Sequence, residues 1–309
     1  MVISFQYPFE KKEYTWNGIS VIALGGKNRS KLFRVMIWLK AYKALNRIKQ
    51  QYAIMGIVSL WATECALVAN TFAKKNKLKH LIWIIGQDAK VTNKYIARIK
   101  PEPGQLMAMS DFLKDEFFKN HHITPGFVFE NGIKESVFPE LNVTERPIDI
   151  FGAGSLIPLK NYSLFIELIA EVKLIFPDIQ AAIAGGGEEG KKLQDLIDTY
   201  DLRNTITLLG AKTHAETLAL MNTSKLFLHT SLYEGNSTVL MEALYSGCKV
   251  ISTCPLSHQQ TENLFIETER AKLKEAILKL LSETASAQKR VVFNTMNRSA
   301  QRIVELLLQ

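Results

Sequence analysis

The chain has 309 residues, 47% hydrophobic and 22% charged, enough for two ordinary domains each with its own core, which excludes a peptide, a disordered tail and a fibre. Its longest apolar run, near Leu81 to Ile85, falls far short of the roughly 18 to 20 residues of a membrane span. Met1 to Gln6 lack the basic and apolar stretches of a secretory signal, and Cys65, Cys248 and Cys254 form neither a disulfide framework nor a metal-ligand pattern, so a reducing cytoplasm is expected.

Charge is unevenly shared. Met1 to Arg146 carry 22 Lys and Arg against 12 Asp and Glu, and Pro147 to Gln309 carry 16 against 18, so the net +8 divides into +10 and −2. A basic first half attracts polyanions such as nucleic acid, anionic lipid or a phosphorylated substrate. A merely solvated basic surface fits equally.

Along the chain, short apolar runs alternate with longer amphipathic stretches, the pattern of an α/β protein. Strands are predicted at Val2–Phe5, Ile19–Leu24, Ile54–Val58, Leu81–Ile85, Gln105–Met109 and Phe127–Glu130, with helices between most of them. Between Lys27 and Gln50, Leu32, Val35, Leu39, Tyr42 and Leu45 recur at helical spacing among Lys31, Arg34, Lys40, Lys43, Arg47 and Lys49. Such a helix either turns its apolar stripe to the sheet or lies on an anionic membrane surface. The segment Val137 to Pro147 has neither helical nor alternating period and is read as the domain boundary. Five βα units follow, with strands at Ile148–Gly152, Gln180–Ala184, Thr205–Leu209, Leu226–Thr230 and Lys249–Thr253. Thr213 and Glu216 make a capping box before one of the helices. The tail from Arg270 to Leu308 reads as two helices. Consecutive βα units imply parallel sheets covered on both faces, and two such sheets make a cleft, with ligands expected beyond the carboxyl ends of the strands.

The loop after the strand ending at Thr230 is the most informative: Ser231-Leu232-Tyr233-Glu234-Gly235-Asn236-Ser237-Thr238, leading into a helix that carries Glu242 and Ala243. Free N–H groups at a helix start suit a phosphate, and two carboxylates around it could hold hydroxyls. Gly154-Ser155-Leu156 with Lys160-Asn161 follows the first strand of this half, Gly185-Gly186-Gly187 the second, and Leu209-Gly210 closes the third.

This series resembles the C-terminal domain of the retaining GT-B glycosyltransferases of group 1, the glycogen-synthase-like set marked by a glutamate, seven residues and a second glutamate; here these are Glu234 and Glu242, with Ser231, Gly235 and Ala243 in matching context. The resemblance implies two Rossmann-like doubly wound domains facing a cleft, residues 1–146 on the acceptor side and 147–309 binding the donor; the family's initial βα unit has no counterpart in the first, which places it either upstream of Met1 or lost in this member. It implies transfer of a sugar, with retention, from a nucleotide-diphosphate sugar to a saccharide or lipid-linked acceptor, without a metal. Lys160 and the Ser237 helix start would stabilise the leaving diphosphate. Glu234 would orient the donor sugar and Glu242 the ribose, with the base near Gly186 and Leu209, and Ser155, Gly235, Asn236 and Thr238 would complete the donor site.

In the first half, Gly86-Gln87-Asp88 is similar to the family's H-G-x-D loop, which makes Asp88 a catalytic candidate. Met109-Ser110-Asp111 and Glu130-Asn131-Gly132 resemble two further family turns, and Trp61 and Glu64 are cleft-wall candidates, although a core position is the commoner fate of such a tryptophan. Two departures matter. Ile85 stands where the family has histidine, and Ser155 stands where it usually has the arginine of a diphosphate clamp. A non-catalytic or partner-dependent nucleotide-sugar binding protein is therefore the alternative. A nucleic-acid-binding role lacks the interleaved aromatic and basic strand pattern it needs. His229, Cys248 and His258 read as structural residues near the site.

Overall fold

The computed structural model describes residues 1–26, 30–141, 145–256, 261–283 and 289–309; His258 and Lys27 lie outside them. The chain divides into two units, Met1–Phe129 with Gln301–Gln309, and Glu130–Ala300.

The first unit contains β1 (Val2–Ser4), β2 (Lys11–Trp16), β3 (Ile19–Leu24), α1 (Lys31–Gln51), β4 (Gly56–Leu60), α2 (Glu64–Asn76), β5 (Lys79–Ile84), α3 (Ile96–Ile99), β6 (Leu106–Ala108), α4 (Asp111–His121) and β7 (Phe127–Val128). Strands β4-β5-β6-β7 pair in that order and are all parallel. A separate three-stranded sheet has the order β1-β3-β2, in which β2 runs antiparallel to β3. That hairpin is the departure from the expected run of βα units. Asn17 and Gly18 both take positive φ, which a two-residue hairpin turn requires. Helix α1 places Ile37, Ala41 and Ala44 against Ile22 and Leu24 of β3 and Val68 of α2, so one apolar stripe does face the core.

The second unit contains β8 (Ile148–Ala153), α5 (Tyr162–Lys173), β9 (Ala181–Ala184), α6 (Gly190–Thr199), β10 (Ile206–Gly210), α7 (His214–Asn222), β11 (Ser224–His229), α8 (Thr238–Tyr245), β12 (Lys249–Ser252), β13 (Leu264–Ile266) and α9 (Arg270–Ser282); α10 (Met296–Leu308) starts there. Its sheet is fully parallel with the order β10-β9-β8-β11-β12-β13. In strand sequence this is 3-2-1-4-5-6, the dinucleotide-binding order, whose direction of winding reverses between β8 and β11. Burial follows the strand period of two. Ile150, Ile183, Leu226, Leu228 and Ile251 pack with α5, α6 and α9, whereas Phe151, Ala182, Phe227 and Val250 pack with α7 and α8 on the opposite face. Each strand is thus apolar on both sides, as a sheet sandwiched between helices demands.

The change of unit comes at Phe129/Glu130, upstream of the boundary expected within Val137 to Pro147. Anchoring of this segment to the second unit is the reason. Ile133 forms a backbone bridge with Thr295, Phe138 packs edge-on against Tyr245, and buried Arg146 donates to the carbonyls of Ser224 and Ser246. A guanidinium buried on those carbonyls ties residue 146 to the second unit rather than the first.

Glycines bring the loops of the second sheet into contact. A Cβ on Gly185 would lie 1.8 Å from the Gly154 carbonyl oxygen, and one on Gly187 would lie 2.3 Å from that of Leu156. Gly186 is different, since its Cβ would meet only Ala211 Cβ at 3.6 Å. Gly185→Ala is therefore expected to destabilise the protein by about 1 to 3 kcal/mol through forced backbone displacement, whereas Gly186→Ala should change it by less than about 0.5 kcal/mol. Urea midpoints of the two variants check this; equal midpoints would refute the packing role of Gly185.

Candidate functional site in the second unit

The loops leaving β8 and β11 meet where the winding of the sheet reverses. After β8 the chain makes a single tight turn over Pro158–Lys160 and enters α5 through Asn161, whose left-handed φ of 50° suits an asparagine better than most side chains. The β11 loop is fastened to that turn by Leu232 N–H donating to Leu159 O at 2.9 Å and by Thr230 Oγ1 donating to Lys160 O at 3.0 Å. These bonds bring Lys160 to Glu234. Lys160 Nζ donates to Glu234 Oε1, and both side chains are largely shielded from solvent.

Burial alone would push the Glu234 carboxyl up, but the His229 contact and the charge of Lys160 outweigh it and hold its pKa at about 2. Glu234 is therefore an anion at neutral pH. His229 lies beneath it, with Nε2 3.2 Å from Glu234 Oε1 and 3.0 Å from Ser231 Oγ. Its Nδ1 is 3.0 Å from Ser252 Oγ, whose one proton goes to Cys254 O at 2.7 Å. Nδ1 must then be the donor in that pair. Burial lowers the His229 pKa below its usual value, with the Glu234 carboxylate opposing the shift. His229, expected as a structural residue, is buried but touches the site glutamate.

Helix α8 begins at the end of the same loop. Ser237 is its N-cap by position, yet its hydroxyl makes no capping bond. Asn131 instead spans the helix start, accepting from Asn236 Nδ2 at 2.8 Å and donating to Thr238 Oγ1. The Asn131-Gly132 turn packs on the backbone of Thr295 because glycine has no side chain there; a Cβ on Gly132 would lie 2.3 Å from the Thr295 carbonyl carbon. Asn131 is thus a residue of this site for which the sequence reading suggests only a turn, and its signal is the Asn-Gly pair itself.

One turn into α8, Glu242 meets the loop of the third strand. His214 Nε2 is 2.8 Å from Glu242 Oε1, and His214 opens α7 next to the capping box, where Thr213 N–H donates to Glu216 Oε2 at 2.8 Å. Burial raises the Glu242 pKa, with His214 opposing. Gly186 and Ser155 are exposed loop tips, and Leu209 is half-buried at the end of β10. The β8, β9 and β10 loops are stitched together by Gly154 N–H to Ala184 O, Leu156 N–H to Gly186 O and Gly185 N–H to Gly210 O, all between 2.9 and 3.0 Å. The second unit therefore gathers Lys160, Glu234, Gly235, Asn236, Ser237 and Thr238 at its switch point, with Glu242 beside the third-strand loop. Among the described residues, no group of three His, Cys, Asp or Glu side chains is placed to hold a metal ion.

Asp88 belongs to the first unit. Its buried carboxylate accepts from the backbone N–H groups of Ala62, Ile85 and Gly86 at 2.8 to 3.1 Å, so it fastens the loops after β4 and β5 to each other. Burial pushes its pKa up while those amides oppose the rise. Cys248 is fully enclosed and donates to Met221 O, a packing role as expected. Trp61, in contrast, is 41% exposed and is not a core residue.

Residues 133–298 match the family model described as glycosyl transferases group 1. Among curated proteins, the chain is 26% identical over 155 residues to a phosphatidylinositol N-acetylglucosaminyltransferase subunit of Arabidopsis thaliana, covering 48% of this chain and 34% of that protein. It is 29% identical over 212 residues to the human counterpart of that protein, covering 65% and 44%, so it spans less than half the length of these relatives. Among solved structures, it resembles Anabaena HepE in complex with UDP and glucose, with a TM-score of 0.69 and 18% identity over 94% of this chain and 85% of that one. Sucrose-phosphate synthase from Thermosynechococcus elongatus gives a TM-score of 0.70 and 15% identity over 92% and 79%; at such identities the likeness is one of fold, the GT-B fold of Rossmann-like α/β sheets. With the family model matched over more than half its length, the chain belongs to the group 1 glycosyl transferases.

Proposed function

We propose that this chain is a retaining glycosyltransferase that takes its sugar from a nucleotide-diphosphate donor and passes it to a saccharide or lipid-linked acceptor. The observation that carries the reading is the Lys160–Glu234 pair at the switch point of the second sheet. A cation there and the amide groups opening α8 suit a diphosphate, whose charge grows as the bond to the sugar breaks. A diphosphate that takes Lys160 replaces one anion by another, so the lysine stays paired while Glu234 becomes available to the sugar hydroxyls. Glu242, held by His214, is suited to the ribose, and Gly186 and Leu209 to the base. In this reading the leaving group is stabilised by the chain's own cation and helix dipole, without a metal. UDP is the first nucleotide to test, because it is bound in the HepE structure.

A partner-dependent role is the second reading. Ser155 stands where the family usually has the arginine that accompanies Lys160, and both curated relatives above are named as subunits. Sugar transfer by the purified chain alone would decide against it; nucleotide binding without transfer would decide for it.

Lys160→Ala should weaken UDP binding by about 1.5 to 3 kcal/mol through loss of a charge-assisted contact, measured by calorimetry. Glu234→Gln should reduce turnover more than UDP affinity, and Glu242→Gln should reduce affinity as well. Unchanged transfer and binding in both glutamine variants would remove the assignment.

The depressed Glu234 pKa also gives a stability signature. A carboxyl whose folded pKa of about 2 lies below its ordinary 4.5 adds stability that is complete above about pH 4.5 and is lost as pH falls towards 2. The difference in urea midpoint between the native chain and Glu234→Gln should therefore shrink as pH is lowered from 5 to about 2.5. A difference independent of pH would show that the carboxylate is not held down.

A further inference from the structure

Tyr162 opens α5 two residues after Lys160, and its ring belongs to the core of the second unit. It packs against Phe165 with ring centroids 6.2 Å apart, in the same cluster as Ile150 and Leu156, and only 4% of the residue is exposed. Two glycines at the end of β8 make room for it. A Cβ on Gly152 would lie 3.2 Å from Tyr162 Cε1, and one on Gly154 would lie 3.1 Å from Tyr162 Oη. The core therefore holds the ring in place and sets its hydroxyl beside Gly154, at the carboxyl end of the strand.

A tyrosine this deeply packed ordinarily gives its hydroxyl a partner. Tyr162 Oη has none among the described residues, yet it is not one of the sealed polar atoms left without one, so the oxygen reaches solvent at the switch point. Burial and the charge of Glu234 both push its pKa up. The phenol keeps its proton at neutral pH and offers it as a donor.

The space this donor faces is shared with Lys160. The lysine stem meets the same point beside Gly154, with Cε 3.6 Å and Cδ 3.8 Å from the place of the absent Cβ. Beyond the stem, the ammonium turns to Glu234, which also has His229 Nε2 at 3.2 Å. Glu234 thus has its partners, whereas the hydroxyl beside the stem waits for one. An anion that takes the ammonium from the Gly154 side meets Tyr162 Oη next to it. The ring is already immobilised by the core, so making that bond costs little side-chain entropy.

From this juxtaposition of a packed ring, an unpartnered hydroxyl and the lysine stem, we infer that Tyr162 Oη is a further donor of the nucleotide site, hydrogen-bonding the β-phosphate of a nucleoside diphosphate, the phosphate that Lys160 neutralises. This role rests on the transfer reading above and adds a residue to it. Charge on that phosphate grows as its bond to the sugar breaks, so the hydrogen bond strengthens towards the transition state while the proton stays on Oη.

Tyr162→Phe removes the oxygen and leaves the ring. Calorimetry of the native and variant full-length chains with UDP, GDP and ADP, and with the matching monophosphates, tests the role. For the diphosphate that the native chain binds tightest, the variant should lose about tenfold in affinity, the size of a hydrogen bond to a charged acceptor, and less than about twofold for the monophosphate, which has no β-phosphate. The unfolding temperature of the unliganded variant should stay within about 2 °C of the native value, because no hydrogen bond within the protein is lost. Unchanged diphosphate affinity would make Tyr162 Oη a merely solvated group and overturn the role. Equal losses for diphosphate and monophosphate, or a larger fall in unfolding temperature, would place the effect in the packing of the loop and overturn it as well. Native binding that Tyr162→Phe leaves intact removes this role alone, whereas a native chain that binds none of the three diphosphates removes the transfer reading and this role together.

Discussion

The salt bridge between Lys160 and Glu234 is the interaction on which the site depends. An ammonium and a carboxylate withdrawn from water are stable only if each has its counter-charge and its hydrogen bonds. Here the carboxylate gains the ammonium on one side and lies over the His229–Ser231–Ser252 chain on the other. Removing either ion leaves the other buried and uncompensated. A ligand that brings its own phosphate and hydroxyls offers both halves a replacement partner, which is the role proposed above for the donor.

That pair exists because of topology. Strands β8 and β11 are neighbours in space but far apart in sequence, and their loops leave in opposite directions, so side chains at the two loop ends face a common space. The approach is made close by residues with little or no side chain. Gly154, Gly185 and Gly187 allow three loops to share backbone hydrogen bonds, and Gly132 lets the Asn131-Gly132 turn pack against the backbone of Thr295. The first unit uses a different device, buried carboxylates. Asp88 and Glu64 gather backbone amides and side-chain donors around themselves and fix the loops that carry Trp61 and Tyr95.

Much of this is legible in the sequence, and the remainder has physical reasons. The strands of the second sheet can be read because they are buried on both faces and so appear as short unbroken apolar runs. Strand β2 cannot, because Lys11 to Trp16 is an edge strand with almost no burial; its Asn17-Gly18 turn is the available signal. Strand β13 is a three-residue edge with the same difficulty. The unit boundary is misplaced in the sequence because polar, aperiodic residues look like a linker even where, as at Phe138 and Arg146, single side chains anchor it. Glu234 and Lys160 stand out in the sequence through the family resemblance of the loops that carry them. Their pairing does not, since it depends on how two loops are tied together, and neither His214 nor His229 can be joined to a glutamate without the fold.

The central claim is that a nucleotide diphosphate binds at the switch point of the second sheet. Amide hydrogen exchange of the full chain, with and without saturating UDP, tests it most directly. Exchange is expected to slow in the loops at residues 154–161, 185–187 and 209–214 and from 231 into the first turn of α8. Protection confined to the first unit, or spread evenly over both, would contradict it.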